Sequence, residues 1–330
     1  MRAGHDVRFQ GECGRLAVGD QRLSVVFGTG PLGQATAREL LRRGGKVRVV
    51  SRRGGTKGLE GAELVTADAA DEVSACEACS GAAVIYHCAA PAYTRWPIEF
   101  PPLQRGIIEG AASSGAALIY GDNLYMYGPV DGPLTEDLPA LARGPNGRTR
   151  AAMAAMVMEA HASGKVRAAI GRGSDFFGPG VVQSTMGERV FGSALAGKTA
   201  QVLGNPDVPH TYTFIDDFAK GLVTLGEHDE ALGEVWHVPS AETLATRRFV
   251  ELIYETLGAE PRISAAPRFV VSLMAAVSPM MRALKEQLYQ FEKPFVADHG
   301  KFERAFGVQV TPHEEAIRRT LDWYRSRAAA

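Results

Sequence analysis

The sequence predicts an α/β fold in which a doubly wound parallel sheet is followed by a smaller C-terminal α/β lobe. Two observations support this prediction. Short apolar runs rich in β-branched residues alternate with helical patterns through the first half of the chain, and a glycine-rich turn joins the first run to the first helix. Strands that alternate with helices pair in parallel through right-handed crossovers. Ligands are therefore expected beyond the carboxyl ends of the strands.

A glycine-rich turn with G-x-G-x-x-G spacing follows the first apolar run, 23–27, and precedes a helical pattern from 34 to 43. In this strand–turn–helix context the spacing is typical of dinucleotide-binding turns. Gly28 permits the tight turn, Gly30 lets a pyrophosphate approach the backbone, and Gly33 lets the helix pack closely on the strand. The free N–H groups at the start of the helix then face the anion. The residues predicted to contact the cofactor here are Gly28, Thr29, Gly30, Leu32 and Gly33.

The second strand, 46–50, ends in Ser51, Arg52 and Arg53. An acidic residue at this position usually binds the adenosine ribose of NAD. Here two arginines take its place, and guanidinium groups match a phosphate in bidentate geometry. The sequence therefore predicts NADP(H) in preference to NAD(H), with Ser51, Arg52 and Arg53 as cofactor contacts.

Four further strands complete the predicted Rossmann-type sheet over 23–178. We place them at 63–67, 83–87, 116–120 and 166–170, with helices at 71–79, 103–114 and 149–163 between them. Asp68 follows the third strand, where an acidic side chain meets the adenine end of the cofactor. Ala89 and Ala90 follow the fourth strand, where the central phosphates and ribose pass.

The remaining chain, 179–330, is predicted to form a substrate-binding lobe, with segments at about 211–240 returning to the sheet. Helices are expected at 187–195, 216–225, 247–257, 267–290 and 312–326, and short strands at 200–203, 211–215 and 234–238. Residues 1–22 mix charges and glycines without periodicity and are predicted to be a disordered tail.

Composition narrows the class of protein. The 330 residues carry a formal net charge of −1, with 45% hydrophobic and 22% charged residues. Such a chain has no basic excess to follow a phosphate backbone, so no nucleic-acid partner is expected. No apolar segment is long enough to span a bilayer, so no membrane partner is expected. Few cysteines and no secretory pattern predict a cytoplasmic protein. Cys76 and Cys79 lack a second cysteine pair, so no metal site is expected.

These residues resemble the extended short-chain dehydrogenase/reductase superfamily, in particular its NAD(P)-dependent epimerase/dehydratase group. The resemblance covers most of 23–325. It rests on the glycine turn, on Asp68 and on the segments 126–129, 172–180, 214–219 and 294–301. It implies a Rossmann-type fold, a nicotinamide cofactor and a small-molecule substrate.

The chain departs from this family at its catalytic motif. Members usually carry Tyr-x-x-x-Lys before the sixth strand, in which the tyrosine is the general acid/base and the lysine lowers its pKa and holds the nicotinamide ribose. Counting back from Glu159 places these two positions within a residue or two of Gly147 and Ala151, and neither a tyrosine nor a lysine occurs there. The residues considered as substitutes are Tyr125 or Tyr127 as proton donor, Asn123 as a neutral donor to a carbonyl, and Arg150 or Arg148 as the cation.

Other residues are predicted to line a substrate cleft. Tyr93, Arg95 and Trp96 follow the fourth strand, and Phe176 follows the sixth. His210 precedes a strand of the second lobe and could titrate near neutral pH. The helix at 267–290 carries an apolar run that suits a core or a homodimer contact better than a substrate groove.

Three functions remain open from the sequence. The first is an NADP(H)-dependent oxidoreductase with an atypical active site, acting on a small carbonyl or alcohol. The second is a nucleotide-sugar epimerase or dehydratase, which also normally uses the missing tyrosine. The third is a non-catalytic NADP(H)-binding sensor protein.

Overall fold

A computed structural model describes residues 22–54 and 58–329 of the chain. The predicted tail therefore lies outside the described residues except for Arg22. The first half of the chain alternates strands and helices in the order β1 (Leu23–Phe27), α1 (Pro31–Arg42), β2 (Lys46–Ser51), β3 (Glu63–Thr66), α2 (Glu72–Ala78), β4 (Ala82–His87), α3 (Trp96–Ser114), β5 (Ala117–Asn123), α4 (Pro145–Ala162) and β6 (Ala168–Gly173).

The second half mixes helices with short strands. Its elements are β7 (Asp175–Phe177), a π-helical turn (Gly187–Gly192), α5 (Ser193–Leu195), β8 (Ala200–Leu203), β9 (Pro209–His210), β10 (Tyr212–Phe214), α6 (Ile215–Glu227), β11 (Val235–His237), β12 (Leu244–Ala245), α7 (Thr246–Leu257), β13 (Ile263–Ala266), α8 (Arg268–Val277), α9 (Pro279–Glu286), α10 (Gly300–Phe306) and α11 (His313–Ala329). Short 3-10 turns lie at Tyr93–Arg95, Tyr125–Tyr127, Asp229–Ala231 and Leu288–Phe291.

Seven strands form one parallel sheet in the order β11-β6-β5-β4-β1-β2-β3. The chain runs outward from β1 in one direction and then returns to continue from β4 in the other, which makes the sheet doubly wound. Helices α2, α3 and α4 cover one face, and α1 and α6 cover the other. The predicted fold class is confirmed. The topological switch lies between β1 and β4, the place where such sheets bind ligands.

Three small parallel or antiparallel strand pairs organise the rest of the chain. In one of them β7 pairs in parallel with β10, which brings Asp175 beside Tyr212. A separate apolar cluster packs residues of β7, β10, α7 and α11 together, including Phe177, Phe249 and Ile317. The segment that follows β6 is thereby tied to the second lobe.

Several predicted helix boundaries were wrong. α3 begins at Trp96 instead of 103 and contains Pro101 and Pro102. Pro97 suits the start, because its missing N–H would have no intrahelical acceptor there, whereas Pro101 and Pro102 each remove a hydrogen bond of the helix. The helix predicted at 267–290 divides into α8 and α9 at Ser278. Pro279 disfavours the helical conformation for the residue before it, and Ser278 is extended, with φ −122°. The Ser278 side chain then caps α9 by accepting a hydrogen bond from the Met281 N–H at 3.3 Å.

Among the described residues, no helix has both the length and the apolar character needed to cross a membrane.

Candidate functional site

The glycine turn between β1 and α1 has one open side. Gly28 has φ +107°, and a Cβ on it would lie 2.8 Å from Ala89 Cα. A Cβ on Gly33 would overlap the carbonyl oxygen of Gly28. A Cβ on Gly30 would meet no heavy atom within 4 Å. At Gly28 and Gly33 the protein's own backbone occupies the space that a side chain would need, whereas Gly30 faces free space. A turn that binds a pyrophosphate requires this arrangement. The residues fit this part of a dinucleotide.

The neighbours of the turn hold it in place. The Gln34 side chain donates to the Thr29 carbonyl at 2.9 Å, and the Gly28 N–H donates to the Val50 carbonyl at 2.9 Å. Leu32 is half-buried and packs against the apolar clusters beneath α1 and α6. Ala89 and Ala90 lie beyond β4, with Ala89 directly against Gly28. The predicted contacts of the turn and of the β4 end are therefore adjacent in space.

The predicted adenosine-side residues lie at the ends of β2 and β3. Ser51 is half-buried, and Arg52 and Arg53 are exposed, with no ion-pair partner within the described part of the chain. Asp68 is exposed, and its carboxylate accepts the Ala70 N–H at 3.0 Å. The two guanidinium groups are therefore free to meet a ligand phosphate.

A buried ionic cluster occupies the ends of β5 and β6. Asp122 lies between two arginines: Oδ1 accepts from Arg150 Nη1 at 3.3 Å and Oδ2 accepts from Arg172 Nε at 3.2 Å. Arg172 Nη1 also donates to the Tyr127 hydroxyl at 2.6 Å. The same hydroxyl oxygen lies 2.8 Å from His237 Nε2. All five side chains are buried. Tyr127 and Arg150, two predicted catalytic residues, are thus held within this cluster.

Burial also sets the protonation of the cluster. It raises the pKa of Tyr127 to about 12, against the opposing effect of Arg172. It lowers the pKa of His237 to about 4, and the positive charge of Arg172 acts in the same direction. At neutral pH Tyr127 is therefore a phenol and His237 a neutral imidazole.

The N-terminal turns of α4 span the predicted catalytic positions near 147 and 151. Asn146 and Arg150 are buried and lie four residues apart, the spacing of Tyr-x-x-x-Lys, whereas Arg148 is exposed. Gly147 has no room for a side chain, since its Cβ would lie 2.9 Å from the Tyr125 carbonyl oxygen. The exact register of the two positions stays a prediction, and α4 contains neither a tyrosine nor a lysine.

A carboxylate from a distant helix caps α4. Glu286 of α9 accepts the Gly147 N–H at 3.0 Å and the Asn146 N–H at 3.3 Å. The N-cap residue itself is Gly144, which has no side chain to fulfil this role. The segment containing α9 therefore helps to position the helix that carries Asn146 and Arg150.

Aromatic rings pack together beside Arg150, in the N-terminal part of α4. Tyr93 lies edge-on to Trp96 at 4.8 Å and to Tyr125 at 6.5 Å between ring centroids. The Arg150 guanidinium stacks on Trp96 at 4.2 Å and on Phe100 at 4.5 Å. Such contacts stabilise a buried cation. The predicted cleft residues Tyr93, Trp96 and Tyr125 therefore come together, and they share one aromatic wall with Arg150.

The phenols of this wall are poor bases. Burial raises the pKa of Tyr93 and Tyr125 above the ordinary value, and the negative charge of Asp175 adds to the effect on both. The Tyr93 hydroxyl is buried without a hydrogen-bond partner among the described residues. The Asn123 side chain accepts the Tyr125 N–H at 3.2 Å and so shapes the turn that carries this phenol.

The remaining predicted cleft residues are more scattered. Arg95 is exposed and pairs with Glu99 at 2.8 Å. Phe176 packs on Phe218 at 4.8 Å between ring centroids. His210 is fully buried, and its Nε2 lies 3.0 Å from Asp175 Oδ2. Sequence reasoning did not predict this pair, because 35 residues separate its members and only the β7–β10 pairing brings them together.

Metal ligation finds no support within the described residues. They contain no cluster of three or more His, Cys, Asp or Glu side chains that could hold an ion. Cys76 and Cys79 are free thiols on and beside α2.

Comparisons with known proteins agree with this architecture. The chain is 21% identical over 293 residues to 3beta-hydroxysteroid-dehydrogenase/decarboxylase isoform 2 of Arabidopsis thaliana, covering 79% of this chain and 51% of that protein. The chain thus spans about half the length of this curated relative.

Two solved structures share the fold. The dTDP-glucose 4,6-dehydratase of Streptomyces venezuelae, solved with NAD bound, superposes with a TM-score of 0.76 and 19% identity over 93% of this chain and 98% of that one. The UDP-N-acetylglucosamine 4-epimerase of Methanobrevibacter ruminantium, in complex with UDP-N-acetylmuramic acid, superposes with a TM-score of 0.76. It is 17% identical, and the match covers 93% of this chain and 99% of that one.

A family model covers the sheet and the glycine turn. The model of the NAD dependent epimerase/dehydratase family matches residues 25–238, which span β1 to the end of β11. The chain therefore belongs to the NAD-dependent epimerase/dehydratase family.

Proposed function

We propose that this chain is a nicotinamide-dinucleotide-dependent enzyme that exchanges hydride with an alcohol or carbonyl carbon of its substrate. The glycine turn supports this proposal most. Backbone atoms occupy the space beside Gly28 and Gly33, and Gly30 faces open space. A bound nicotinamide supplies the hydride donor or acceptor. The protein's task is then to hold the dinucleotide, orient the substrate and manage the proton.

The residues at the ends of β4, β5 and β6 would perform that task. The Arg150 charge is fixed by Asp122 and by the Tyr120 hydroxyl at 2.8 Å, so it supplies a constant positive potential beneath the site. Tyr125 carries a half-exposed phenol whose pKa is raised by burial. It suits a hydrogen-bond donor to a substrate oxygen and does not suit a base.

We further propose NADP(H) as the preferred dinucleotide. Arg52 and Arg53 stand exposed at the end of β2, beside the glycine turn, without acidic partners in the described residues. Replacing both by alanine should weaken NADPH binding at least 10-fold and leave NADH binding within 2-fold, roughly the loss of one charge-assisted contact. Equal losses for the two dinucleotides would contradict this assignment.

A nucleotide-sugar epimerase or dehydratase is the second candidate. Its support is the family and two solved structures of similar fold, a dTDP-glucose 4,6-dehydratase and a UDP-N-acetylglucosamine 4-epimerase. Within the described residues, however, Arg172 is buried against Asp122 and cannot reach a diphosphate. Arg189 is exposed, with its guanidinium near Met281 Sδ at 3.9 Å, and is the remaining cation considered for that role.

One panel separates these functions. The purified chain is incubated with NADP⁺ or NAD⁺ and either cyclohexanol or UDP-glucose, and nicotinamide reduction and sugar products are followed. Reduction with cyclohexanol favours the oxidoreductase, and conversion of UDP-glucose without net reduction favours an epimerase. Dinucleotide binding without turnover of any alcohol, carbonyl or sugar would favour the non-catalytic sensor.

The domain division and the oligomeric state are also proposals. We propose that 23–178 binds the dinucleotide and that 179–330 forms the substrate lobe. Of the segments at about 211–240 that were expected to return to the sheet, β11 does so, whereas β10 pairs with β7 outside it. We propose a homodimer through α8, whose Phe269, Leu273 and Val277 side chains are largely exposed. Sedimentation equilibrium of the Leu273→Glu variant against wild type tests the dimer.

A further inference from the structure

The buried pair formed by Asp175 and His210 lies next to the aromatic wall. Asp175 opens β7, directly beyond β6, and His210 ends β9, directly before β10. His210 Nε2 lies 3.0 Å from Asp175 Oδ2, and Nδ1 lies 3.1 Å from the Gln290 carbonyl oxygen. The imidazole has no exposed surface, whereas Asp175 keeps 9%. The carboxylate is thus the end of the pair that faces outward.

The hydrogen bonds fix the proton count of the pair. A carbonyl oxygen can only accept, so His210 Nδ1 carries a hydrogen. One further proton lies between Nε2 and Asp175 Oδ2, because two acceptors alone would repel. Three aromatic rings pack on the imidazole: Phe291 at 4.9 Å, Tyr212 at 4.6 Å and Phe295 at 5.3 Å between centroids. In this apolar setting an imidazolium is stable only with its carboxylate partner.

The second carboxylate oxygen, Oδ1, has no hydrogen-bond partner within the described residues. The negative charge of Asp175 raises the pKa of Tyr93, Tyr125, Tyr212 and Tyr289. Two contacts join the pair to these phenols: Tyr212 lies opposite Asp175 in the β7–β10 pairing, and Tyr289 packs on Phe295, which packs on His210. Three of them are half-exposed and line the cleft, on the turns at 93–95, 125–127 and 288–291. The phenols and His210 are the titratable groups that face this carboxylate.

The other side chains at this place are less suited to take a proton at neutral pH. The pKa of each surrounding phenol is raised by burial, and the nearby guanidinium of Arg150 is protonated. Glu286 is the other carboxylate here, and its two oxygens already accept the Asn146 and Gly147 N–H groups. Because α4 contains neither a tyrosine nor a lysine, the acid/base function of Tyr-x-x-x-Lys needs another group.

We propose that Asp175, positioned by its hydrogen bond to His210, is the proton acceptor of this active site. The inference rests on the proposed hydride exchange. As the substrate carbon is oxidised, its O–H bond breaks, the proton forms a new O–H bond at Asp175 Oδ1, and the oxygen keeps the electron pair that makes the carbonyl. The carbon-bound hydrogen leaves as hydride to the oxidised dinucleotide. His210 touches no substrate and is a positioning residue.

Nuclear magnetic resonance of the free protein tests the pair without any substrate. The full chain is labelled with ¹⁵N-histidine, and the His210 ring signals are assigned by their loss in His210→Asn. At neutral pH the Nε2 signal of wild type should differ from that of Asp175→Asn, because the substitution replaces the carboxylate partner of Nε2 by an amide. Identical His210 signals in the two proteins would overturn the proposal.

Turnover tests the catalytic role. With NADP⁺ and whichever of cyclohexanol or UDP-glucose the wild type converts, Asp175→Asn should lower kcat about 100-fold while KM stays within a few-fold. His210→Asn should lower kcat about 10-fold and move the acidic limb of the pH profile to higher pH. Asp207→Asn, an exposed carboxylate of the same lobe, and His228→Asn are matched controls expected to behave as wild type.

The outcomes separate this inference from the proposed function. If Asp175→Asn binds NADPH normally and keeps wild-type kcat, the proton acceptor lies elsewhere and only this inference fails. If the wild type neither binds a dinucleotide nor converts either substrate, the proposed function fails, and the catalytic role of Asp175 fails with it.

Discussion

Two glycine-to-alanine substitutions in the glycine turn should affect different properties, one stability and the other NADPH binding. Gly33 and Gly30 both lie within the first turn of α1 or at its N-cap, yet their surroundings differ. A Cβ on Gly33 would overlap the Gly28 carbonyl oxygen, whereas a Cβ on Gly30 would meet nothing within 4 Å. Gly33→Ala should therefore affect folding, and Gly30→Ala should affect ligand binding.

The magnitudes follow from these contacts. Overpacking against backbone costs about 1–3 kcal/mol, and the higher helix propensity of alanine returns about 1 kcal/mol. Gly33→Ala should thus lower the free energy of unfolding by up to about 2 kcal/mol. Gly30 has φ −70° and ψ 179°, a conformation open to any residue, so Gly30→Ala should change stability by less than about 0.5 kcal/mol. Its methyl group would occupy the space proposed for the pyrophosphate, which should raise the Kd for NADPH at least 10-fold, or about 1.4 kcal/mol.

Urea unfolding and fluorescence titration with NADPH measure the two effects on the same samples. The control is Gln201→Ala, which changes an exposed side chain of β8 in the second lobe. A Gly30→Ala variant that binds NADPH as tightly as wild type would refute the placement of the pyrophosphate at this turn.

Three further predictions concern stability. Glu286→Ala removes the cap of α4 and should lower the free energy of unfolding by about 1 kcal/mol in urea, with Lys285→Ala as the neighbouring control. Asp122→Ala leaves two arginines unpaired in the interior and should cost about 3–5 kcal/mol by the same measurement. Burial lowers the pKa of His237 to about 4 in the folded protein, whereas a histidine in the unfolded chain has a pKa of about 6.5. Between pH 4 and pH 6.5 the unfolded chain therefore binds more protons at this residue than the folded protein. Stability should fall as pH drops from about 6.5 to about 4, and His237→Gln should flatten that slope, whereas an unchanged slope would assign the acid sensitivity to other groups.

The sequence was most informative where local pattern and fold agree. The β-branched runs, the glycine spacing and the alternation of strands and helices are local signals, and they predicted six strands of the sheet apart from their exact ends. The seventh, β11, lies within the segments at about 211–240 that were expected to return to the sheet. The start of α3 was predicted too late, because the helix contains Pro101 and Pro102, which each remove a helical hydrogen bond.

The candidate site was harder to predict because its contacts are long-range. The cap of α4 by Glu286 joins residues 139 positions apart, and the Asp175–His210 pair joins residues 35 positions apart. Neither leaves a periodic signal. The first turn of α4 was not predicted either, and it brings Asn146 into the helix with Arg150 four residues later.

A calorimetric titration of the unmodified chain with NADPH, repeated with NADH, tests the central claim most directly. We predict one saturable site for each, with the tighter binding for NADPH and loss of that preference when Arg52 and Arg53 are both replaced by alanine. The absence of heat for either dinucleotide, together with no protection against thermal unfolding by either, would contradict the account.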